Sequence, residues 1–209
     1  MQQARTEPSR SRRALAWTRA EILPLLALVV LMLVARSSFA NHYHVPSGSM
    51  QPTLQPGDRV AVDMRAYGWR LPFSSRDLVE VRDPEPGEVV VFSSPDDGTR
   101  LIKRLVAVGG DAVEVVDGRL YINDRPLASG PLRAVELFPG RSVPLDLRHG
   151  GGPDVARFEV PAGMALVMGD HRGGSHDGRH FGLVPVDAFY GRAVAVYWRR
   201  GEGPVWRPL

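Results

Sequence analysis

Short runs of β-branched and aliphatic residues recur along the chain from Asn41 onward, separated by turn residues. Few of them show apolar residues at helical spacing, so the pattern favours strands over helices. The predicted strands are residues 58–64, 87–92, 101–108, 112–123, 157–160, 164–170 and 193–198. Asp117-Gly118, inside the fourth run, is typical of a β-hairpin turn. The pattern therefore predicts a mainly β fold, an antiparallel β-sheet domain with one or two short helices at most.

The pattern changes near the N-terminus, where Ile22 to Ala35 form a continuous apolar run behind an arginine-rich tail. This order is typical of a secretory signal peptide or of a single transmembrane anchor. Ser38-Phe39-Ala40 would serve as a cleavage site, whereas Arg36 counts against cleavage. In both cases the basic tail stays in the cytoplasm and the rest of the chain is exported.

The chain thus divides into three parts. Residues 1–21 are predicted to be a cytoplasmic basic tail, residues 22–40 a transmembrane anchor, and residues 41–209 an exported β-rich domain. Within that domain, residues 124–156 are rich in glycine, proline and arginine and are predicted to form an irregular insertion.

The length, charge distribution and cysteine content of the chain exclude several classes of function. The chain has 209 residues and 44% hydrophobic content, which suits one domain with its own core and an appendage. Its net charge is +3, but the first 20 residues hold five arginines and one glutamate, which leaves 21 basic and 22 acidic side chains elsewhere. The basic balance therefore does not predict nucleic-acid binding. The absence of cysteine excludes thiol nucleophiles, cysteine-ligated zinc and disulfides.

A compact polar motif, VPSGSMQPTLQPGD, occupies residues 45–58 directly after the apolar segment. Its prolines and glycines restrict the backbone, and a serine in such a turn can present its hydroxyl beside its own N–H. Nucleophilic catalysis with an oxyanion hole needs that arrangement. On this motif alone, however, a simple connection between anchor and domain is the favoured interpretation, because loops rich in serine, proline and glycine are common.

One lysine, Lys103, stands among 25 arginines, within the apolar run LIKRLVAV. A serine nucleophile needs a base, and a buried lysine can lose its proton near neutral pH, whereas an arginine cannot. On a strand, Leu101 and Leu105 share the face of Lys103, while Ile102 and Arg104 point the other way. The alternative is an exposed lysine paired with a carboxylate, the more common situation.

A second polar motif, VMGDHRGGSHDGRHFG at residues 167–182, follows a predicted strand. One interpretation is a metal site formed by His171, His176 and His180, although their spacing does not fit one helix face. Another is a Ser-His-Asp triad in which a histidine from this loop serves Ser49. A third is a supporting loop in which Ser175 orients a base. The loop alone leaves these open, together with a merely solvated loop.

Four motifs in this order resemble the bacterial type I signal peptidase (leader peptidase) family. They are PSGSMQPTL at 46–54, PGEVVVF at 86–92, LIKRLVAVGGD at 101–111 and GDHRGGSHDGRHFG at 169–182. The resemblance covers about residues 22–122 and 158–198, and the first and third motifs together are highly specific. It implies the antiparallel catalytic domain of that family with one N-terminal transmembrane helix, and it favours an uncleaved anchor.

The resemblance also implies a role for each matching residue. Ser49 would be the nucleophile and Lys103 the general base, with Ser47 and the Ser49 N–H in the oxyanion hole. Ser175 would orient Lys103. The remaining roles concern support and substrate: Asp177 and Arg179 would brace the last loop, Asp170 would pair with Arg104, and Val45 and Ile102 would line the pockets for small substrate side chains.

The implied activity is the removal of signal peptides from exported pre-proteins after Ala-x-Ala-like sites, by a Ser-Lys dyad through an acyl-enzyme. It requires no metal and no cofactor. The implied location is the bacterial inner membrane, with a cytoplasmic N-terminus and a periplasmic catalytic domain. The expected partners are therefore pre-proteins and the lipid bilayer, and no nucleic acid.

The chain departs from the family pattern at several positions. Leu101 stands where an aromatic residue is common, and the last motif has His171, Gly173, Gly174 and Gly178 where asparagine, aspartate or serine is usual. The family's insertion is short here and lacks its disulfide. These departures leave two alternatives: a specialised peptidase for pilin or conjugation proteins, and an inactive anchored β domain that binds exported chains.

Overall fold

The computed structural model describes residues 22–29, 40–70, 77–80, 82–129 and 134–209. Residues 23–29 are helical. Within the described ranges, no helix combines the length and apolar character needed to cross a membrane. The predicted basic tail and most of the predicted anchor lie outside the described residues, so the anchor stays a prediction.

The domain from Ala40 onward is built from short strands. They are β1 (Ala40–His44), β2 (Arg59–Asp63), β3 (Gly68–Arg70), β4 (Asp77–Glu80), β5 (Val89–Ser93), β6 (Arg100–Val108), β7 (Ala112–Val116), β8 (Arg119–Ile122), β9 (Arg125–Pro126), β10 (Ala128–Ser129), β11 (Val135–Phe138), β12 (Arg141–Pro144), β13 (Val155–Glu159), β14 (Met164–Met168), β15 (Val184–Pro185), β16 (Phe189–Arg199) and β17 (Gly203–Pro208). One α-helical turn, Gly178–Phe181, and two 3₁₀ turns, Arg172–Gly174 and Val186–Ala188, complete the described part of this domain.

The pairings among these described strands are all antiparallel, which confirms the predicted mainly β fold. The main sheet has the order β1-β2-β16-β5-β6-β14-β15, and β17 pairs with β16. Smaller sheets consist of β13-β7-β8-β9, β10-β11-β12 and β3-β4. The predicted hairpin also forms: β7 and β8 join at Asp117 and Gly118, both with positive φ, as a tight hairpin turn requires.

Residues 124–156 were predicted to be irregular, and here the structure differs. The segment contains β9 to β12, each two to four residues long. Strands this short, interrupted by prolines and glycines, carry too few alternating positions to show a period of two. The apolar side chains Phe138 of β11, Val143 of β12 and Leu145, just after β12, pack in one cluster with those of the β7–β8 hairpin: Val113, Val115 and Leu120. This segment is therefore part of the core.

Strand β6 is central to the sheet and carries the lone lysine. Lys103 lies opposite Val90 of β5, and Arg104 lies opposite Met168 of β14. Leu101 and Leu105 pack in one cluster with Val90, while Ile102 packs in another, as predicted from strand alternation. The flanking strands thus bury β6 at its middle.

Candidate active site

The turn after β1, residues 45–58, is closed at its base and anchored by buried side chains. We call it the nucleophile turn because it carries the candidate nucleophile Ser49. Val45 N–H donates to the carbonyl of Asp58 at 2.9 Å, and Gly57 N–H donates to the carbonyl of Val45 at 2.8 Å. Met50 and Leu54 are fully buried beneath it. These contacts fix residues 45–58 on the main sheet, so the turn is a structured element of the domain and not a loose connection to the N-terminal segment.

Ser47 and Ser49 lie side by side on this turn. The Ser47 hydroxyl donates to the Ser49 hydroxyl at 3.3 Å, and both residues reach the surface of one cleft. The Ser49 carbonyl accepts a hydrogen bond from the His171 N–H at 3.1 Å. The turn therefore holds the Ser49 backbone on one side and leaves its hydroxyl facing the cleft.

Lys103 reaches the same cleft from β6. The residue is only 4% exposed, and its Nζ donates to the Ser175 hydroxyl at 3.0 Å. Burial among apolar strand neighbours lowers the pKa of the Lys103 amine to about 8; the positive charge of Arg179 lowers it further, and Asp177 and Asp170 partly oppose the shift. A considerable fraction of this amine is therefore neutral in mildly alkaline solution and able to accept a proton.

Arg104, the next residue, forms a buried bidentate ion pair on the other face of β6. Its Nε and second terminal nitrogen donate to the two carboxylate oxygens of Asp170 at 2.8 and 2.7 Å. A third donor reaches the Gly87 carbonyl at 2.6 Å, and the Thr53 hydroxyl donates to Asp170 at 2.5 Å. This network connects β6, the nucleophile turn and the start of the last motif. Within it, the Arg104–Asp170 pair is the contact that the resemblance implied.

Asp177 and Arg179 hold the last motif in shape. Arg179 donates two 2.9 Å hydrogen bonds to the Asp177 carboxylate, which also accepts the Gly169 N–H at 2.9 Å. Asp177 begins the helical turn Gly178–Phe181 as its N-cap. Although burial opposes it, Arg179, the Gly169 N–H and the Ser175 hydroxyl together lower the pKa of Asp177. The carboxylate is therefore ionised and fixes the position of Ser175.

Gly169 allows the two halves of the site to approach. A Cβ at this position would collide with the Ser175 hydroxyl and with the Ser49 carbonyl. Only glycine therefore lets the nucleophile turn lie directly against the loop that carries Ser175. Two glycines that stand where the family usually has other residues are also closely packed. Gly173 lies against the His149 carbonyl, and Gly174 lies against the His171 ring.

The cleft between these elements has a volume of about 410 Å³. Its walls come from the nucleophile turn, from β6, from the loop before β6 and from the last motif: Pro46, Ser47, Ser49, Ser94, Asp96, Asp97, Thr99, Arg100, Leu101, Ile102, Lys103, Gly174 and His176. Ile102 is among them, but Val45 is not, because it is 1% exposed and packs in the cluster beneath the turn. The structure thus brings Ile102 to the cleft surface and places Val45 behind it.

The histidines of the last motif do not form the trio considered from the sequence. Among the described residues, the group able to offer three metal ligands is Asp146, His149 and His171, not His171, His176 and His180. His176 pairs with Asp96 at 3.0 Å, and His180 accepts from the Asp177 N–H. The ring of His171 contacts the Gly48 carbonyl and His149. The hydrogen-bond partners of these three histidines do not include the Ser49 hydroxyl, so the observed contacts do not support a Ser-His-Asp triad.

Two residues that support the site were not identified from the sequence. Thr53, whose hydroxyl donates to Asp170, lies in the nucleophile turn. A hydroxyl residue next to a proline in that motif was the signal that could have indicated it. Arg172 is fully buried and donates to Glu136 at 2.8 Å, which links the last motif to β11. Glu136 lies far away in sequence in a segment predicted to be irregular, so no local signal pointed to this pair.

The sequence matches the family described as signal peptidase, peptidase S26, over residues 18–198. It is 34% identical over 196 residues to a signal peptidase I of Pseudomonas fluorescens, covering 81% of this chain and 69% of that protein. It is also 34% identical over 180 residues to a signal peptidase I of Leptolyngbya laminosa, covering 84% and 79%. A crystal structure of a signal peptidase I from Enterococcus faecalis aligns with a TM-score of 0.39 at 30% identity, over 54% of this chain and 98% of that one.

Proposed function

The chain belongs to the signal peptidase family, peptidase S26, and is a serine peptidase; we propose that it removes signal peptides from exported pre-proteins after Ala-x-Ala-like sites. The observation that carries the proposal is the shared cleft: Ser49 and a buried Lys103 with a lowered pKa line the same 410 Å³ space. Acyl transfer requires a nucleophile and a base in one site, and an amine with a pKa of about 8 is half neutral at pH 8.

In the proposed mechanism, neutral Lys103 takes the proton of the Ser49 hydroxyl as its oxygen attacks the scissile carbonyl. Collapse of the tetrahedral intermediate breaks the peptide bond, and Lys103 returns the proton to the leaving amine. The resulting ester joins Ser49 to the signal peptide. Lys103 then takes a proton from water, the hydroxide attacks the ester, and Ser49 recovers its proton.

The charge that develops on the carbonyl oxygen needs donors fixed before the reaction. The Ser49 N–H and the Ser47 hydroxyl, which lies 3.3 Å from Ser49 Oγ, supply them in this proposal. Ser175 holds the Lys103 amine at 3.0 Å, and its own position depends on Asp177 and Arg179. Ile102 at the cleft wall would contact a small apolar substrate side chain, with Val45 supporting the pocket from below.

The proposed location is the bacterial inner membrane. Residues 22–40 would anchor the chain with its basic tail in the cytoplasm and its catalytic domain on the periplasmic side. A signal peptide also lies in the bilayer, so enzyme and substrate would meet within one surface instead of by diffusion through solution.

The proposal is tested with the purified full-length chain in detergent and a pre-protein whose signal peptide ends in Ala-x-Ala. We expect one cut at that site, identified by the N-terminal sequence of the product, and no turnover by Ser49→Ala. His176→Ala should retain substantial activity: although His176 lines the cleft, its imidazole pairs with Asp96 and takes no part in the proposed proton transfers. Pre-protein binding without cleavage would contradict the proposal in favour of an inactive binding domain, and cleavage confined to pilin-like substrates would favour a specialised peptidase.

A further inference from the structure

Three potential metal ligands meet behind the nucleophile turn, outside the proposed reaction. Asp146 lies after β12, His149 follows in the same loop, and His171 belongs to the last motif. One ligand atom from each lies within 4.8 Å of the other two. Asp146 is buried, His171 half-buried and His149 exposed, so the cluster is open to solvent on one side.

The two imidazoles face each other through ring nitrogens. His149 Nδ1 and His171 Nε2 are 3.0 Å apart, and His171 Nδ1 lies 3.3 Å from the Gly48 carbonyl. If His171 donates its Nδ1 proton to that carbonyl, the lone pair of Nε2 is directed at His149. A backbone carbonyl that orients a histidine in this way is the usual outer contact of a metal-ligating imidazole.

Asp146 is fixed by main-chain contacts on both sides. Its N–H donates to the Asp170 carbonyl at 2.9 Å, and its carbonyl accepts from the Arg172 N–H at 3.0 Å. Its carboxylate is bound by Arg148, at 2.5 Å for the shortest contact, but the Arg148 side chain is 79% exposed. An exposed ion-pair partner is easily displaced into solvent, so the carboxylate can be released to a cation.

We propose that Asp146, His149 and His171 bind a divalent transition-metal ion such as Zn²⁺, with water as the fourth ligand. Zinc takes nitrogen and oxygen ligands at about 2.0–2.2 Å in a tetrahedron, which places neighbouring ligand atoms about 3.3–3.6 Å apart. The nitrogens of His149 and His171 are 3.0 Å apart, and the three ligand atoms all lie within 4.8 Å of one another. The tetrahedral separations fall between these two distances. Small movement of the exposed His149 side chain is enough to close the site.

The metal would act on the structure of the turn and not in peptide hydrolysis. His171 contacts the turn twice, through its N–H to the Ser49 carbonyl at 3.1 Å and through its ring to the Gly48 carbonyl. An ion that fixes the His171 ring therefore restrains the backbone on both sides of the nucleophile. Because a ligand that binds only the folded state stabilises it, the ion should raise the melting temperature.

The experiment is a calorimetric titration of the full-length protein, first stripped with a chelator, with Zn²⁺ alone. We expect one ion per chain, and at least ~10-fold weaker binding for His149→Ala and for Asp146→Asn. His176→Ala is the matched control, since it removes another exposed histidine whose ring lies 4.8 Å from that of His180. It should bind Zn²⁺ as the unchanged protein does, and Zn²⁺ should raise the melting temperature of both but not of His149→Ala.

The inference fails if the unchanged protein shows no saturable binding up to ~1 mM Zn²⁺, or if His149→Ala and Asp146→Asn bind as tightly as the control. Weaker binding in His176→Ala alone would place the site at His176 and His180 and would equally overturn it. These readouts do not use peptidase activity, so they are independent of the proposed function.

Discussion

Lys103 differs from the 25 arginines of the chain in the one property that a base needs. An arginine at 4% exposure would keep its proton and require a buried counter-ion, as Arg104 does with Asp170. Lys103 instead has a neutral hydroxyl, that of Ser175, as its 3.0 Å partner. Because desolvation is the largest influence on the Lys103 pKa, the apolar neighbours of β6 determine its protonation more than any single charge.

This protonation predicts the pH dependence of the reaction. The reactive form is the neutral amine, and the Lys103 pKa is about 8, so kcat/KM should rise about tenfold per pH unit below 8 and level off above it. The measurement is kcat/KM for pre-protein cleavage between pH 6 and pH 10. A histidine base, with an ordinary pKa of about 6.5, would give a plateau already near pH 7 and would contradict the assignment.

At the scale of elements, the Arg104–Asp170 pair joins β6 to the last motif and to the nucleophile turn. Replacing Arg104 with glutamine leaves the Asp170 carboxylate buried without its counter-charge, which typically costs about 3–5 kcal/mol. We therefore expect a large fall in the free energy of unfolding, measured by urea titration. The matched control is Arg157→Gln, which removes an exposed pair with Asp124 and should change the stability little. Equal effects of the two substitutions would contradict the structural role of the buried pair.

Gly169 is the contact point between the nucleophile turn and the last motif. Gly169→Ala introduces a Cβ against the Ser175 hydroxyl and the Ser49 carbonyl, so we expect kcat/KM to fall at least ~100-fold, since a misplacement of about 1 Å can cost that much. Gly140→Ala is the control: its φ of +69° also favours glycine, but no atom lies within 4 Å of the added Cβ. Its activity should be unchanged below its melting temperature. Near-normal activity of Gly169→Ala would show that the two elements need not approach so closely.

Five strands of the main sheet, β2, β5, β6, β14 and β16, were predictable because each carries a run of aliphatic residues between turn signals. Strands β1, β15 and β17 of the same sheet were not predicted, since they are short or lack such a run. Strands β9 to β12 were not, since two to four residues carry no usable periodicity. In the site, the resemblance supplied the partners of Lys103 and Arg104, which lie more than 60 residues away along the chain. Partners without a matching motif, such as Glu136 for Arg172 and His149 for His171, follow only from the tertiary structure.

For the whole molecule, the proposed function requires attachment to a membrane through residues 22–40. We expect the full-length chain to remain in the membrane pellet after alkaline carbonate washing and to keep the mass of the uncleaved chain. Replacing Leu25 and Leu28 together with arginine should move it to the soluble fraction, because a charge at the centre of a spanning helix costs about 2.5–3.5 kcal/mol. A soluble product that begins at Asn41 would instead show that the segment is a cleaved signal peptide.

The proposed mechanism depends on Lys103 as the base for Ser49, and substitutions at Lys103 probe that role without changing the nucleophile. Lys103→Arg keeps the positive charge but cannot release its proton, and Lys103→Met fits the apolar surroundings without any base. We predict that both variants, folded as judged by circular dichroism and melting temperature, lose at least ~100-fold in kcat/KM on a pre-protein substrate, while Arg157→Lys on the surface does not. Cleavage by either Lys103 variant at a rate comparable to that of the unchanged protein would contradict the account.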